Sequence, residues 1–281
     1  MSSHVVRGTV GNRAAALALE ALGFPVWVVP TVTLAWHPGQ GPSTRLVPDE
    51  DAFAALVGDL ATSPLLAEVG GIITGYFGAP WQVAHAARLV KSLKAQNSDV
   101  LFTLDPVIGD AGRLYVPDDQ ACAIREDLLP LSDLTTPNMF ELSWLSGRGN
   151  VITLSDVDQA SAALPVENVL TTSAPVGRPE QIGNRLTGAG KTLSAIHETL
   201  SPVPHGLGDL TGALMTGHML DGLLPQEALH RTTASVLHAA RQAQAGQGAD
   251  ARMIELVLEN DLAALAEPPD LASVEISENT I

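Results

Sequence analysis

The sequence predicts an α/β fold in which helices cover both faces of a mostly parallel central sheet. Short apolar or β-branched runs alternate with Ala/Leu-rich helical segments through most of the chain, which is the pattern of a buried parallel sheet. Of the 281 residues, 46% are hydrophobic and only 16% are charged, so the chain can bury a sizeable core. No linker-like stretch or internal repeat divides it. We therefore expect one domain over residues 1–281.

The first part of the chain is predicted to form a helix followed by extended segments. Asn12 is a candidate N-cap for that helix, and Gly23 is a candidate stop. The β-branched residues after Pro25 favour a strand. The predicted elements are a helix over Arg13–Leu22, a strand over Pro25–Val29, extended pieces over Thr31–Trp36 and Thr44–Val47, and a helix from Pro48 to about Ala61.

Strands and helices then alternate regularly, and longer helices follow towards the end. The predicted strands are Gly71–Gly75, Val100–Leu104, Leu134–Thr136 and Asn168–Thr172, with a hairpin of Gln181–Thr187 and Thr192–Thr199. The predicted helices are Pro80–Gln96, Asp118–Leu129 and Asn138–Ser146, with two more starting at Asp209 and Pro225. The acidic tail after Glu267 is expected to be frayed.

Charge and cysteine content exclude several classes of function. The 15 Lys and Arg residues against 31 Asp and Glu residues give a net charge of −16, which disfavours binding to nucleic acid or to an anionic membrane. The single cysteine, Cys122, excludes an intrachain disulfide and fits a reducing cytoplasmic compartment. The most apolar stretch, Ala14–Trp36, is interrupted by Glu20 and by two prolines, so it is not predicted to span a membrane.

Polar residues or glycines follow four of the predicted strands. In an open parallel sheet, ligands bind beyond the carboxyl ends of the strands. Any one of these strand ends could be an ordinary turn, but several of them on one edge predict a ligand site. The four segments are Thr74–Tyr76, Asp105–Asp110, Thr136–Asn138 and Thr171–Ser173.

A fifth segment, Gly206–Asp209, predicts an anion site. Two glycines allow a tight turn, and the helix that follows would direct free N–H groups and the positive end of its dipole at the loop. Asp209 would stand beside that site as a base for a hydroxyl nucleophile. An ordinary helix N-cap at Asp209 remains the alternative from these residues alone. With few basic residues in the chain, a nucleotide triphosphate would need Mg²⁺, and Asp105, Asp110 and Glu141 are the carboxylates expected to hold it through water.

The motifs together resemble those of pyridoxal kinases, in the ribokinase-like superfamily. The N-terminal segment SHVVRGTVGNRAA, from Ser3 to Ala15, is similar to the signature of that family. Further matches are Thr74–Tyr76, Asp105–Asp110, Leu114–Pro117, the run TPNMFEL from Thr136, the run LSGR from Leu145, and Gly206–Asp209. The resemblance extends from the first residues to about residue 260.

The resemblance implies a ribokinase-like fold and ATP-dependent phosphorylation of the 5′-hydroxymethyl group of pyridoxal, and of pyridoxine and pyridoxamine. It assigns catalysis to Asp209, Gly206 and Gly208, and vitamer binding to Ser3, His37, Pro38, Gly39, Tyr76 and Asp209. It assigns the nucleotide to Asp105, Thr136, Asn138, Glu141, Thr171 and Thr172, the metal to Asp105, Asp110 and Glu141, and a lid to Tyr115. It further implies Mg²⁺, allows for a monovalent cation, and indicates a homodimer.

The sequence departs from the family pattern in three places. One is Leu207, where the family commonly has Thr or Val between the two loop glycines. The family has an apolar strand directly before the Ser-His pair, whereas only Met1 and Ser2 precede Ser3 here, so the first strand is expected to be missing. The substrate flap, which usually reads Ser-Asn-His-Thr, reads Ala-Trp-His-Pro from Ala35 to Pro38. Two alternatives therefore remain: a catalytically weak protein that binds B6 vitamers, and a kinase for hydroxymethylpyrimidine or another small alcohol.

Overall fold

A computed structural model describes residues 1–188, 190–246 and 255–280. The strands are β1 (Ser2–Val5), β2 (Pro30–Leu34), β3 (Arg45–Leu46), β4 (Gly71–Thr74), β5 (Leu101–Leu104), β6 (Gly109–Asp110), β7 (Arg113–Leu114), β8 (Leu134–Thr135), β9 (Asn168–Pro175), β10 (Gln181–Gly188), β11 (Lys191–Glu198) and β12 (Glu275–Thr280). The helices are α1 (Asn12–Ala21), α2 (Glu50–Thr62), α3 (Trp81–Gln96), α4 (Asp118–Ala123), α5 (Met139–Ser146), α6 (Leu154–Ser161), α7 (Leu207–Leu220), α8 (Pro225–Ala245) and α9 (Ala263–Ala266).

The main sheet has seven strands in the order β12-β11-β10-β9-β8-β5-β4. Strands β4, β5, β8 and β9 are parallel, whereas β9 to β12 pair antiparallel. The α/β prediction is confirmed, but the sheet is mixed, because the predicted hairpin adds its antiparallel strands to the parallel half. The acidic tail, expected to fray, ends instead in β12, which pairs with β11.

Helices cover both faces of this sheet, as predicted. Val169 and Leu170 are successive residues of β9, so their side chains point to opposite faces. Val169 is buried in a core cluster with residues of α3, α5 and α6, whereas Leu170 is buried in a second cluster with residues of α7 and α8. Among the described residues, no helix combines the length and apolar character that a membrane crossing requires.

The N-terminal residues join a second sheet, of order β1-β2-β3, to the main one. Strand β1 runs parallel to β2. On its other side, the Met1 amine donates to the Ile73 carbonyl at 2.7 Å, and the Gly75 N–H donates to the Met1 carbonyl at 2.9 Å. A short strand thus precedes α1 and lies between β2 and β4. Whether residues ahead of Met1 would lengthen this strand stays a prediction.

Two local predictions for this region are wrong. Residues Pro25–Val29 do not form a strand, since β2 begins at Pro30. Asn12 does not cap α1 from outside but is the first helical residue, preceded by Gly11. Its buried side-chain amide instead donates to the carbonyls of Ser2 and Val29, at 2.6 and 3.2 Å. Asn12 therefore stabilises the start of β1 against the segment that leads into β2.

A cavity of about 460 Å³ lies beside Met1, between residues 24–29 and strand β4. The cavity is partly open to solvent, so it is a cleft and not an internal void. Its walls are mostly apolar and include Leu19, Phe24, Leu66, Leu93 and Leu220. We call this cavity the N-terminal groove.

Candidate active site at the carboxyl edge of the sheet

The carboxyl ends of the parallel strands meet at one edge, as predicted. The Asp105 N–H donates to the Thr74 carbonyl at 2.8 Å, and the Thr136 N–H donates to the Leu104 carbonyl at 3.1 Å. The Thr136 hydroxyl also donates to Oδ1 of Asp105 at 3.2 Å. The segments after β4, β5 and β8 therefore form one continuous polar rim.

The glycine loop before α7 has the geometry of an anion site. Gly206 has φ +97°, and a Cβ atom there would lie 2.4 Å from the Thr9 carbonyl oxygen, so only glycine fits. Helix α7 begins at Leu207, two residues earlier than predicted, so Asp209 lies within its first turn and is not an N-cap. No backbone carbonyl of the helix accepts from the N–H groups of this turn. Apart from its chain neighbours and the adjacent helix backbone, no atom of the described residues lies within 4 Å of the Cβ position of Gly208, so this side of the turn is open.

Asp209 faces the strand ends from the first turn of α7. Its Oδ1 lies 3.9 Å from the Cβ position of Gly75, the residue after β4. Burial raises the pKa of Asp209 to about 6, although the N–H groups of Gly11 and of Asp209 itself donate to the carboxylate and lower it. The group is thus mostly ionised at neutral pH and remains basic enough to accept a proton.

Two neighbours of Asp209 were not predicted as site residues. The Ser2 side chain lies against Gly75, with its Oγ 2.6 Å from the Cβ position of that glycine, and it accepts a hydrogen bond of 3.1 Å from the Tyr76 N–H. Gly11 contacts Asp209 only through its backbone N–H, so the residue type at this position gives no sign of a role in the site. The signal that could have found Gly11 is its position directly before a helix.

The carboxylates of Asp105, Glu141 and Asp209 lie close enough to influence one another. Burial raises the pKa of Asp105 well above its usual value, and the charges of Glu141 and Asp209 raise it further. Burial also raises the pKa of Glu141 to about 8, against the opposite effect of three backbone N–H donors. Ionisation of all three carboxylates would place excess negative charge in this corner, and a bound cation would stabilise the ionised forms.

Glu141 is held firmly in place by backbone groups. It accepts hydrogen bonds from the N–H groups of Ile108, Gly109 and Asn138, at 3.1, 3.4 and 3.0 Å. Asn138 completes a capping box by accepting from the Glu141 N–H at 2.9 Å. Glu141 therefore connects the start of α5 to the segment after β5.

The three predicted metal ligands do not converge on one point. Among the described residues, no group of three or more His, Cys, Asp or Glu side chains is arranged to hold a metal ion. Asp110 lies on the β6–β7 hairpin and accepts from the N–H of Ala111. The expectation that Asp105, Asp110 and Glu141 hold a metal ion through water stays a prediction.

Tyr76 and Ser3 lie on the side of the site predicted for the vitamer. The Tyr76 hydroxyl accepts a hydrogen bond of 2.9 Å from Arg45, whose guanidinium lies 5.6 Å from the centre of the tyrosine ring. Arg45 also donates to the Gly78 carbonyl at 2.7 Å and thereby holds the ring. Ser3 is buried against Gly11, with its Oγ 2.4 Å from the Cβ position of that glycine.

The flap residues His37, Pro38 and Gly39 follow β2. The Gly39 N–H donates to Nδ1 of His37 at 3.1 Å. The His37 ring stacks on that of His205, the residue directly before Gly206. The structure thus brings the flap to the anion loop, a contact that could not be predicted from the order of the residues.

The remaining predicted residues are those expected to bind the nucleotide and the expected lid residue. Thr172 lies next to the Thr136–Asn138 segment, because its N–H donates to the Pro137 carbonyl at 3.0 Å. The hydroxyl of Thr171 is buried without a hydrogen-bond partner among the described residues. Tyr115 is half exposed beside the β6–β7 hairpin, and its pKa is raised by burial and by the carboxylates of Glu141, Asp105, Asp110 and Asp209. The predicted lid residue therefore faces the carboxylate cluster.

Comparison with known proteins shows which proteins the chain is similar to. A family model described as phosphomethylpyrimidine kinase matches residues 77–252. The chain is 33% identical over 246 residues to pyridoxal kinase PdxY of Granulibacter bethesdensis, covering 84% of this chain and 86% of the relative. It is 32% identical over 254 residues to the pyridoxine/pyridoxal/pyridoxamine kinase of Bordetella bronchiseptica, covering 88% and 90%. The structure of pyridoxal kinase from Leishmania donovani in complex with ADP and pyridoxamine superposes with a TM-score of 0.91 at 25% identity, covering 99% of this chain and 97% of the other.

Proposed function

The chain belongs to the pyridoxal kinase family, and we propose that it transfers the γ-phosphoryl group of ATP to the 5′-hydroxymethyl group of pyridoxal or a related B6 vitamer. The observation that carries this proposal is the position of Asp209. Its carboxylate, with a pKa of about 6, lies in the first turn of α7, behind the Gly206–Gly208 loop and opposite Gly75. A base, an anion site and the polar rim at the ends of the strands are thus combined at one point.

The chemistry assigned to these residues is in-line phosphoryl transfer. The vitamer oxygen forms a bond to the γ-phosphorus while the bond from that phosphorus to the β,γ-bridging oxygen breaks, and ADP leaves. Asp209 orients the hydroxyl and accepts its proton as the new bond forms, because a free alcohol is too weak an acid to ionise beforehand. The N–H groups at the start of α7 stabilise the charge on the transferred group.

The nucleotide is assigned to the rim formed by Thr136, Asn138, Thr171 and Thr172. The clustered carboxylates of Asp105 and Glu141 fit a nearby Mg²⁺, because oxygen ligands suit this ion. Burial, and then the charges of Glu141 and Asp209, raise the pKa of Asp105, and a cation would oppose that effect. Asp105, Glu141 and Asp110 would hold the ion through water, and the ion would supply neutralisation of the triphosphate charge. A monovalent cation, a homodimer, a cytoplasmic location and a single kinase domain over residues 1–281 remain proposals from the family resemblance.

A kinase for hydroxymethylpyrimidine is the second candidate, favoured by the description of the family model that matches residues 77–252. The Tyr76 ring, held by Arg45, offers a flat contact to either heterocycle. The test is a comparison of kcat/KM for pyridoxal, pyridoxine, pyridoxamine and hydroxymethylpyrimidine with ATP and Mg²⁺. A value at least about tenfold higher for one of the B6 vitamers supports the first proposal, and a higher value for hydroxymethylpyrimidine supports the second. Tight binding of pyridoxal without ADP release would indicate the catalytically weak binding protein.

A further inference from the structure

The flap and the anion loop are joined by two imidazole rings. In the structure the flap is part of a turn after β2, and from here on the name flap refers to residues 36–41 of this turn. The rings of His37 and His205 are stacked, with centroids 4.0 Å apart and an angle of 26° between their planes. Stacked aromatic pairs of this geometry attract each other beyond the area that they bury. Because His205 immediately precedes Gly206, this contact reaches the loop that leads to Asp209.

The His37 ring is in the uncharged form that such stacking needs. Its Nδ1 accepts a hydrogen bond of 3.1 Å from the Gly39 N–H, so this nitrogen carries no proton. Burial and the neighbouring His205 also lower the pKa of His37 to about 4. Two further backbone hydrogen bonds, from Gln40 to the His37 carbonyl and from Gly41 to the Pro38 carbonyl, make the flap a compact turn. A contact at one ring can therefore position the whole flap.

The flap has a second attachment, at Glu255. The Gln40 side chain contacts Glu255 and Arg7, and Arg7 also pairs with Glu255 at 2.8 Å. The Arg7 side chain is 65% exposed, so solvent weakens this ion pair. Of these two attachments, the histidine stack is the one that contacts the residue directly before Gly206.

Strand β2, which leads into the flap, lies beside Tyr76, a residue predicted to bind the vitamer. It packs in an apolar cluster in which Val32 and Leu34 lie with Val5 and Val10, and Tyr76 packs against that cluster. The flap therefore begins where the strand beside Tyr76 ends.

We propose that His205 is a positioning residue that holds the flap over the vitamer by stacking on His37. The vitamer in this inference rests on the proposed kinase function, whereas the contact between the two rings does not depend on it. The His205 ring contacts His37, and the reacting atoms are assigned to Asp209 and the first turn of α7. His205 should therefore act on vitamer affinity and leave the transfer step nearly unchanged.

The test compares His205→Ala, which removes the ring, with His205→Phe, which keeps a ring that can stack. We expect His205→Ala to raise KM for pyridoxal about three- to tenfold with kcat within about twofold. His205→Phe should restore KM to within about twofold of the unaltered chain. His238→Ala is the matched control, since His238 lies on α8 and pairs with Asp261. An unchanged KM in His205→Ala, or a loss confined to kcat, would overturn the proposal.

Hydrogen exchange in the ligand-free protein separates this proposal from the proposed function. The amides of Gly39, Gln40 and Gly41 should exchange faster in His205→Ala than in the unaltered chain, and His205→Phe should return them to the original rate. The same rates in all three proteins would overturn the stacking role even if the chain phosphorylates pyridoxal. If instead the chain phosphorylates no vitamer but the exchange rates change as expected, the positioning contact stands and the kinase function fails.

Discussion

The backbone N–H of Gly11 donates a hydrogen bond to the carboxylate of Asp209 and lowers its pKa against the effect of burial. This bond joins the turn before α1 to the first turn of α7. Gly11 has φ +58°, and a Cβ atom there would lie 2.3 Å from the Ser3 carbonyl oxygen. The turn thus requires glycine, and its N–H fixes the side chain that we assign as the base.

Asp209→Asn should remove the base and keep this hydrogen bond, because an amide oxygen can still accept from Gly11. We expect kcat to fall at least about a hundredfold, as loss of a general base does, while the dissociation constants for ATP and pyridoxal change less than about threefold. Steady-state kinetics and calorimetric titration measure the two quantities. Turnover near that of the unaltered chain would remove Asp209 from the mechanism.

The pKa of Asp209 predicts the pH dependence of catalysis. Transfer requires the ionised carboxylate, whose pKa in the folded protein is about 6. As pH falls below that value the carboxylate is protonated, so kcat/KM should decline about tenfold per pH unit below 6 and level off above 7. Profiles with both pyridoxal and pyridoxine isolate the enzyme group, since it is common to the two. A flat profile between pH 5 and 7 with both substrates would contradict the assignment.

Glu141→Ala should weaken both the fold and the response to magnesium. The substitution leaves the N–H groups of Ile108, Gly109 and Asn138 without their acceptor, which costs about 1–3 kcal/mol of unfolding free energy. It also removes a carboxylate from the cluster, so the Mg²⁺ concentration for half-maximal rate should rise. Denaturant unfolding and a magnesium titration check these effects, with exposed Glu126→Ala as the control. An unchanged magnesium titration would reject Glu141 as a contributor to the metal site.

An apolar extended segment added ahead of Met1 should occupy the N-terminal groove. Met1 already bonds to Ile73 and Gly75, so a strand continuing in register would pass along β4 and between the apolar walls of the groove. Burying each large apolar side chain contributes roughly 1.5–3 kcal/mol. We expect a four-residue Val/Ile extension to raise Tm by several degrees and to tighten pyridoxal binding, because β1 carries Ser2 and Ser3. A Gly/Ser extension of equal length is the control, and equal Tm values for the two would contradict the prediction.

The sequence predicted most of the main sheet and the strand-end site because both follow local rules. Alternating apolar runs located β4, β5, β8 and β9, and the polar residues after them marked one edge. The strand prediction for Pro25–Val29 failed because β-branched residues favour a strand only where a partner exists, and these residues border the groove instead. The prediction of a frayed tail failed for the opposite reason. A partner strand exists there, because the edge of β11 pairs with the tail as β12.

Residues that act through backbone or distant contacts could not be predicted. Gly11 reaches Asp209 through an N–H that every residue type except proline carries. Arg45 and Tyr76 are 31 positions apart, and only the folded chain brings the guanidinium to the phenol. The stack of His37 on His205 spans a still longer separation and has no spacing signal. Long-range pairs of this kind depend on the packing of whole elements.

Phosphorylation of pyridoxal with Asp209 as the base is tested most directly by ³¹P NMR of the purified chain with ATP, Mg²⁺ and pyridoxal, followed beside Asp209→Asn. We expect a phosphate monoester signal of pyridoxal 5′-phosphate and the signals of ADP to grow in equal amounts. The variant should produce both at least about a hundredfold more slowly. ADP formed without the phosphate ester, or equal rates for the two proteins, would contradict this prediction.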